Sequence, residues 1–388
     1  MAAVPDLSPL PPVPLVDLQK QLAVVGDAIQ QRMAAVLQGG DFILGGAVGE
    51  LEGRLADYAG VAQAITVANG TDALQIALMA MDVGAGDAVF VPPFTFAATA
   101  GAVVLTGATP VFVDIDDTTF TMDPLQLENK VAAVRAAGAL TPRAVIPVDL
   151  FGRPADYPAI HAVAQAAGLQ VLADAAQSFG AVQGDGQEAR PVGSLAPMTT
   201  VSFYPSKPLG CFGDGGAILT DDPTLAERCR RLRGHGFDAT GEARQVGMNS
   251  RLDSLQAAVL LAKLDVFDQE LAARSQAAAW YDERLRDSLR TPESPPDGRS
   301  AWAVYSIRTR ERERLRQALR EAGIASAIYY AKPLHLHEAY AAFGDGAGSL
   351  PVSETASAEV LALPMHGYLD EPTVTRVCDT LLGALAKP

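Results

Sequence analysis

Cysteine is scarce: the 388 residues include three, Cys211, Cys229 and Cys378, and no two of them are spaced as a pair. They are too few and too scattered for a disulfide framework or a CxxC metal site, and they point to a reducing compartment, expected to be the cytoplasm. Positive charge is also in deficit. Lysine and arginine number 30 against 45 aspartates and glutamates, for a formal net charge of −15. That balance argues against nucleic acid or an anionic membrane as a partner, and any phosphate the chain binds needs a local site. No long hydrophobic run is present either. The uncharged stretch from Ala88 to Val113 is broken by prolines and threonines, and the start "MAAVPDLSPLPPVPLVDL" lacks the basic-then-apolar order of a signal peptide. No bilayer anchor is expected. Internal repeats are lacking too, and low complexity is confined to the proline-rich start.

What is present is ample material for a core. Apolar residues make up 49% of the chain, and its length allows two or three domains. From about Ala64 to Thr220, "AITVAN", "AVFVPP", "TPVFVD", "RAVIPVD", "LQVLAD" and "MTTVSF" have the composition of buried strands. "TDALQIALMAMD" and "YPAIHAVAQAAG" have helical periodicity between them. This alternation predicts an α/β fold, a mostly parallel sheet with helices on both faces. The proline-free stretch from Asp253 to Leu289 predicts one or two helices, and "RTPESPPDG" at 290–298 a loop. Beyond it, "AWAVYSIR", "ERLRQALREAG" and a strand near "ASAIYY" predict a smaller α+β domain.

In an open α/β sheet, ligands collect beyond the carboxyl ends of the strands, and three polar motifs fall there. In "ANGTDAL" a strand stops at Asn69-Gly70-Thr71 and a helix begins. Free N–H groups at that helix start, with the Thr71 hydroxyl, would cradle a phosphate without net positive charge; an ordinary capped glycine turn has the same sequence. In "VLADAAQS", Asp174 ends an apolar strand, where a carboxylate either finds a cation or caps the next helix. Gln177 lies one helical turn on. In "FYPSKPLGCFGDGGA", prolines at 205 and 208 stiffen the backbone around Lys207, and glycines follow. Most lysines are solvated surface groups, yet this one is delivered to the sheet edge that also carries Asp174. Pyridoxal 5'-phosphate (PLP) needs a lysine for a Schiff base, a carboxylate against its ring nitrogen and a phosphate cradle. Lys207, Asp174 and Gly70-Thr71 would supply one each.

From about Pro14 to its C-terminus the chain resembles the DegT/DnrJ/EryC1/StrS sugar aminotransferases, within fold type I of the PLP enzymes. The resemblance rests on "NGTDAL", "PPFTFAATA", "DAAQSFGA", "SFYPSKPLGCFGDGGA", "GMNSRLDSLQAA", "KPLHLH" and "LPMHGYLD", in that order. It implies a large PLP-binding domain with a seven-stranded sheet, residues 14–255. A small C-terminal domain, residues 256–388, and an extended arm, residues 1–13, complete the expected chain. It further implies that Phe96 stacks on the pyridine ring, that Gln177 sits by its phenolic oxygen, and that Ser202 joins Thr71 on the phosphate. Asn249 would reach the phosphate of a neighbouring subunit, so that a homodimer builds each site. Many relatives carry a tyrosine after that asparagine, where this chain has Ser250.

Arg251, Tyr330, His335 and His337 are candidate contacts to a nucleotide sugar. Arg251 is equally an ion-pair residue, and two histidines spaced by two equally alternate across a strand. Cys211 is expected to be small packing, and the basic run "RCRRLRGHG" a solvated helix face. The implied activity is transfer of an amino group from glutamate to a nucleotide-linked keto-sugar, with Lys207 moving the proton and Asp174 keeping the ring nitrogen protonated. The branch resembled most aminates C-3 of UDP-2-acetamido sugars, including 3-keto-glucuronates. Amination at C-4 of a UDP-, dTDP- or GDP-linked sugar is the alternative. A sugar dehydratase of the same family would carry histidine in place of Lys207, and a non-catalytic PLP-binding regulator would not need every chemical role filled.

Overall fold

A computed structural model describes residues 11–386. After α1 (Leu18–Gly39) and α2 (Gly46–Ala59), strands and helices alternate: β1 (Gln63–Val67), α3 (Gly70–Ala80), β2 (Asp87–Val91), α4 (Ala97–Leu105), β3 (Thr109–Phe112), α5 (Pro124–Ala137), β4 (Thr141–Val145), α6 (Tyr157–Ala167) and β5 (Gln170–Asp174). A short ribbon, β6 (Val182–Gln183) and β7 (Arg190–Pro191), separates these from β8 (Met198–Ser202), β9 (Gly216–Thr220) and α7 (Pro223–Arg233). Helices α8 (Ser254–Leu264) and α9 (Phe267–Leu285) follow. The chain then runs through β10 (Gly298–Arg299), β11 (Tyr305–Arg308), α10 (Arg312–Glu321), α11 (Pro351–Glu359), β12 (Val360–Leu363) and α12 (Glu371–Leu385).

Seven strands form the main sheet in the order β1-β9-β8-β5-β4-β2-β3. Six are parallel, and β9 alone runs against its neighbours β1 and β8. Most strand positions away from the first residue are buried because both faces are covered; β4, with Thr141 exposed and Arg143 half-buried, is the exception. One face packs on α3, α4 and α7 through Ile65, Leu74, Val103 and Leu232. The other packs on α2, α5, α6 and α8 through Leu51, Leu127, Ile160 and Leu260. Helix starts are written locally. Asp123, Asp156, Asp222 and Asp370 each accept first-turn N–H bonds at the starts of α5, α6, α7 and α12, and each of those turns carries a proline.

A second core joins Tyr281 and Leu285 of α9 to Tyr305, Ile307, Leu361 and Val377. The chain changes core inside α9, whose Phe267 and Leu271 still belong to the sheet side. Val13 packs into the second core and bridges to Ile324. Of the expected arm, residues 1–10 lie outside the described residues. The strand expected at "ASAIYY" is not formed: only Ala327 pairs, with Ala362, and the chain then leaves β12 to carry Tyr329 and Tyr330 over the main sheet. Nor is the basic run on α7 wholly solvated. Arg233 is buried, paired with Glu52 and bonded to the Thr66 carbonyl, tying α7 to β1.

Candidate active site

The carboxyl ends of β1, β5 and β8 and the start of the antiparallel β9 share one edge of the sheet, and the functional candidates gather there. The approach is tight. A Cβ on Gly216 would lie 2.6 Å from the Asn69 carbonyl carbon, and one on Gly70 would lie 2.7 Å from Ser202 Cβ. Only glycine lets these strand ends meet. Asn69 caps α3 by accepting the Asp72 N–H at 2.8 Å. The capping role therefore falls to Asn69, which leaves the Thr71 hydroxyl without a partner among the described residues. Ser202 Oγ accepts the Tyr204 N–H at 3.4 Å, beside Gly70.

Asp174 closes β5 and is buried. Its Oδ2 accepts from Thr99 Oγ1 at 2.8 Å and its Oδ1 from the Ala176 N–H at 3.2 Å. No cation bonds it. Burial pushes its pKa up, against these two donors and the field of Lys207. Lys207 is half-buried, and its amine has no hydrogen bond or ion pair among the described residues. Burial pushes its pKa down, with Asp174 opposing. A carboxylate and an amine thus lie in one another's field in a poorly solvated pocket, each shifted toward its neutral form.

The surrounding shell is aromatic and amide. Phe96, at the N-terminus of α4, is 60% exposed, although Phe94 two residues earlier is fully buried. Gln177 is buried; its Oε1 accepts the Phe151 N–H at 2.9 Å and its Nε2 donates to Tyr330 Oη at 3.1 Å. Tyr330 thereby joins the site, and burial holds its phenol well above the usual range. Cys211 is buried, with its Sγ directed at the Phe203 and Gly213 carbonyls, and burial pushes its thiol up to about 11. It is packing, as expected.

Other candidates lie elsewhere. His335 is buried and bonds Glu354 at 3.2 Å, and His337 bonds the Lys332 carbonyl at 3.0 Å. His335 is the middle residue of a single 3-10 turn, Leu334–Leu336, and His337 follows it; neither lies on a strand. Asn249 is exposed at the base of the 235–248 hairpin, and its side chain has no partner among the described residues. Arg251 is half-buried and likewise unpaired among them. Ser250 is fully buried and accepts the Ala68 N–H at 3.1 Å, so it braces the end of β1 and makes no surface contact. Sequence reasoning missed Thr99. Its signal was available, since Thr99 stands three residues, one helical turn, after Phe96.

Comparison with known proteins agrees with this arrangement. A model of the DegT/DnrJ/EryC1/StrS aminotransferase family matches residues 24–382. The chain belongs to that family. It is 44% identical to a UDP-2-acetamido-2-deoxy-3-oxo-D-glucuronate aminotransferase of Pseudomonas aeruginosa, over 95% of this chain and 99% of the relative. It is 41% identical to a UDP-N-acetyl-3-dehydro-alpha-D-glucosamine 3-aminotransferase of Acidithiobacillus ferrooxidans, over 96% and 98%. Among solved structures, a DegT DnrJ EryC1 StrS aminotransferase from Brucella abortus superposes with a TM-score of 0.94 at 45% identity, covering 97% of this chain and all of that one. NtdA of Bacillus subtilis, with bound cofactor PMP, superposes with a TM-score of 0.85 at 28% identity, over 98% and 86%. The α/β fold is therefore fold type I, as the motifs imply.

The opposed shifts of Asp174 and Lys207 yield a prediction. Because the Asp174 charge raises the Lys207 pKa, Asp174→Asn should lower it further. In cofactor-free protein, competitive acetylation across a pH series, read by mass spectrometry, should show the Lys207 midpoint moving down in the variant. An unchanged or higher midpoint would mean that the two groups do not share a field.

Proposed function

We propose that this chain moves an amino group from glutamate to C-3 of a UDP-linked 2-acetamido-2-deoxy-3-keto-hexose or hexuronate. The observation that carries the reading is the partnerless Lys207 amine in the field of a buried carboxylate that lacks a cation. The chain is a sugar-nucleotide aminotransferase, and its cofactor is PLP. The residues fit that group: a free amine, an acid in want of a cationic partner, an exposed aromatic ring and a helix N-terminus at which position 70 leaves no room for a Cβ. When bound, PLP supplies an aldehyde open to an amine and a ring that accepts electron density.

The remaining chemistry is the protein's own. Lys207, neutral in a larger fraction than an ordinary lysine, acts as nucleophile and then moves a proton at its Nζ. Asp174, oriented by Thr99 and the Ala176 N–H, holds a protonated ring nitrogen through a charge-assisted bond. The first amides of α3, with Thr71 and Ser202, hold the phosphate, which suits a chain of net charge −15. Phe96 covers the ring. Gln177 has one Nε2 hydrogen left after Tyr330 and would offer it to the cofactor's phenolic oxygen. The three cysteines are buried free thiols, which supports action in the cytoplasm.

Preference for C-3 rests on the two UDP-sugar relatives, and Arg251 is the residue for a uronate carboxylate. With glutamate as donor, a UDP-2-acetamido-3-keto sugar should give its 3-amino product. Arg251→Ala should lower kcat/KM for the uronate about tenfold more than for an uncharged hexose analogue. Amination of 4-keto sugars alone in a side-by-side assay would refute the regiochemistry.

The site is also proposed to be shared between two copies. Phe42, Ile43, Leu44 and Phe212 are exposed close to the start of α8, and Phe237 and Val246 are exposed on the hairpin that ends at Asn249. Apolar groups gathered in this way call for a covering partner, and Asn249 would then reach that partner's phosphate. Lys207→Ala and Asn249→Ala should each be inactive alone and recover activity when mixed and re-equilibrated, since one hybrid site stays intact. No recovery after proven subunit exchange would assign the site to one chain.

A further inference from the structure

Behind half-buried Lys207 stands a lysine that is fully buried. Lys263, on α8, is 2% exposed, and its Nζ donates to the Gly210 carbonyl at 2.6 Å while lying 4.6 Å from the centre of the Phe212 ring. No acid pairs with it among the described residues. The charged or titratable groups in its field are Glu270 of α9 and Cys211 of the loop, and burial pulls its ammonium down to about 8. Seven residues earlier, on the same face of α8, Gln256 accepts the Phe212 N–H at 2.8 Å and donates to the Phe212 carbonyl at 3.5 Å. Two turns of one helix therefore grip the loop at Gly210 and Phe212.

The grip reaches Lys207 through backbone alone. The loop is closed at its ends by Cys211 N–H to the Phe203 carbonyl and by Phe203 N–H to the Gly215 carbonyl, both at 2.8 Å. Inside it, Gly210 presses on the Tyr204 and Pro205 carbonyls, which a Cβ at 210 would meet at 2.7 and 2.6 Å. The Tyr204 carbonyl in turn accepts the Lys207 N–H at 2.8 Å. Displacing Gly210 thus displaces Tyr204, and with it the backbone that carries the amine.

Resting on the reading of Lys207 given above, we infer that Lys263 and Gln256 are positioning residues that hold the Lys207 loop against α8 and keep its amine in the dry pocket facing Asp174. The desolvation of Lys207 depends on this brace as much as on the pocket walls. The test is competitive acetylation of cofactor-free protein across a pH series, with Lys207 followed by mass spectrometry and folding matched by circular dichroism. Lys263→Met and Gln256→Ala should each raise the Lys207 midpoint toward that of an ordinary lysine by about one unit, a tenfold fall in neutral amine at fixed pH. A merely stabilising contact would lower the melting temperature and leave that midpoint in place, which would overturn the inference. So would a rise in Lys263→Met with none in Gln256→Ala, because the loss of a charge alone explains that pattern. An ordinary midpoint in the parent protein would instead overturn the reading of Lys207 on which the inference rests.

Discussion

A carboxylate at the end of a strand covered on both faces cannot remain charged in a dry interior without a compensating partner. The site is organised around that constraint. Asp174 receives two hydrogen bonds, from Thr99 and the Ala176 N–H, and the field of one amine, which together fall short of a full counter-charge. Lys207 is subject to the reverse pressure and loses proton affinity in the same pocket. A cationic ring nitrogen would relieve the acid and an aldehyde would engage the amine, so the residues of the pocket suit PLP. The strain belongs to the site and is carried by the fold around it.

The fold carries it by bringing distant strand ends into backbone contact. Strand β9 runs against its neighbours and returns the chain from the lysine loop beside β1, where Gly216 meets Asn69 and Gly70 meets Ser202. The first amides of α3, the acid and the amine therefore gather at one edge of a single sheet, and α8 supports the loop from behind. A phosphate held on those backbone amides, as proposed, would explain how an acidic chain handles anionic ligands. It needs local donors and no basic surface.

Much of this is written in local sequence. The parallel strands are short runs rich in apolar and β-branched residues, Asp174 ends one of them, and Lys207 follows another in a loop of small and stiff residues. Strand β9 escaped because its "GDGGA" start has the composition of a loop, and antiparallel direction has no local signature. Lys263 lies 53 residues from Gly210 and outside every quoted motif, so its role depends on tertiary packing, whereas Thr99 stands within "PPFTFAATA" and only its partner, Asp174, 75 residues away, is set by the fold. The histidines of "KPLHLH" show the opposite failure. Their chemistry is versatile, but burial commits His335 to Glu354 and a local turn commits His337 to the Lys332 carbonyl. Ser250 shows how a departure from the family pattern can have a structural meaning, since its hydroxyl closes the end of β1.

The central claim is that Lys207, facing Asp174, is the amine that engages the cofactor aldehyde, although a fully buried lysine lies close behind it. Reduction of the PLP-loaded protein with borohydride, followed by peptide mapping, tests this most directly. The account predicts a pyridoxyl adduct on Lys207 in stoichiometric yield and none on Lys263. An adduct on Lys263 or Lys332, with Lys207 unmodified, would contradict it.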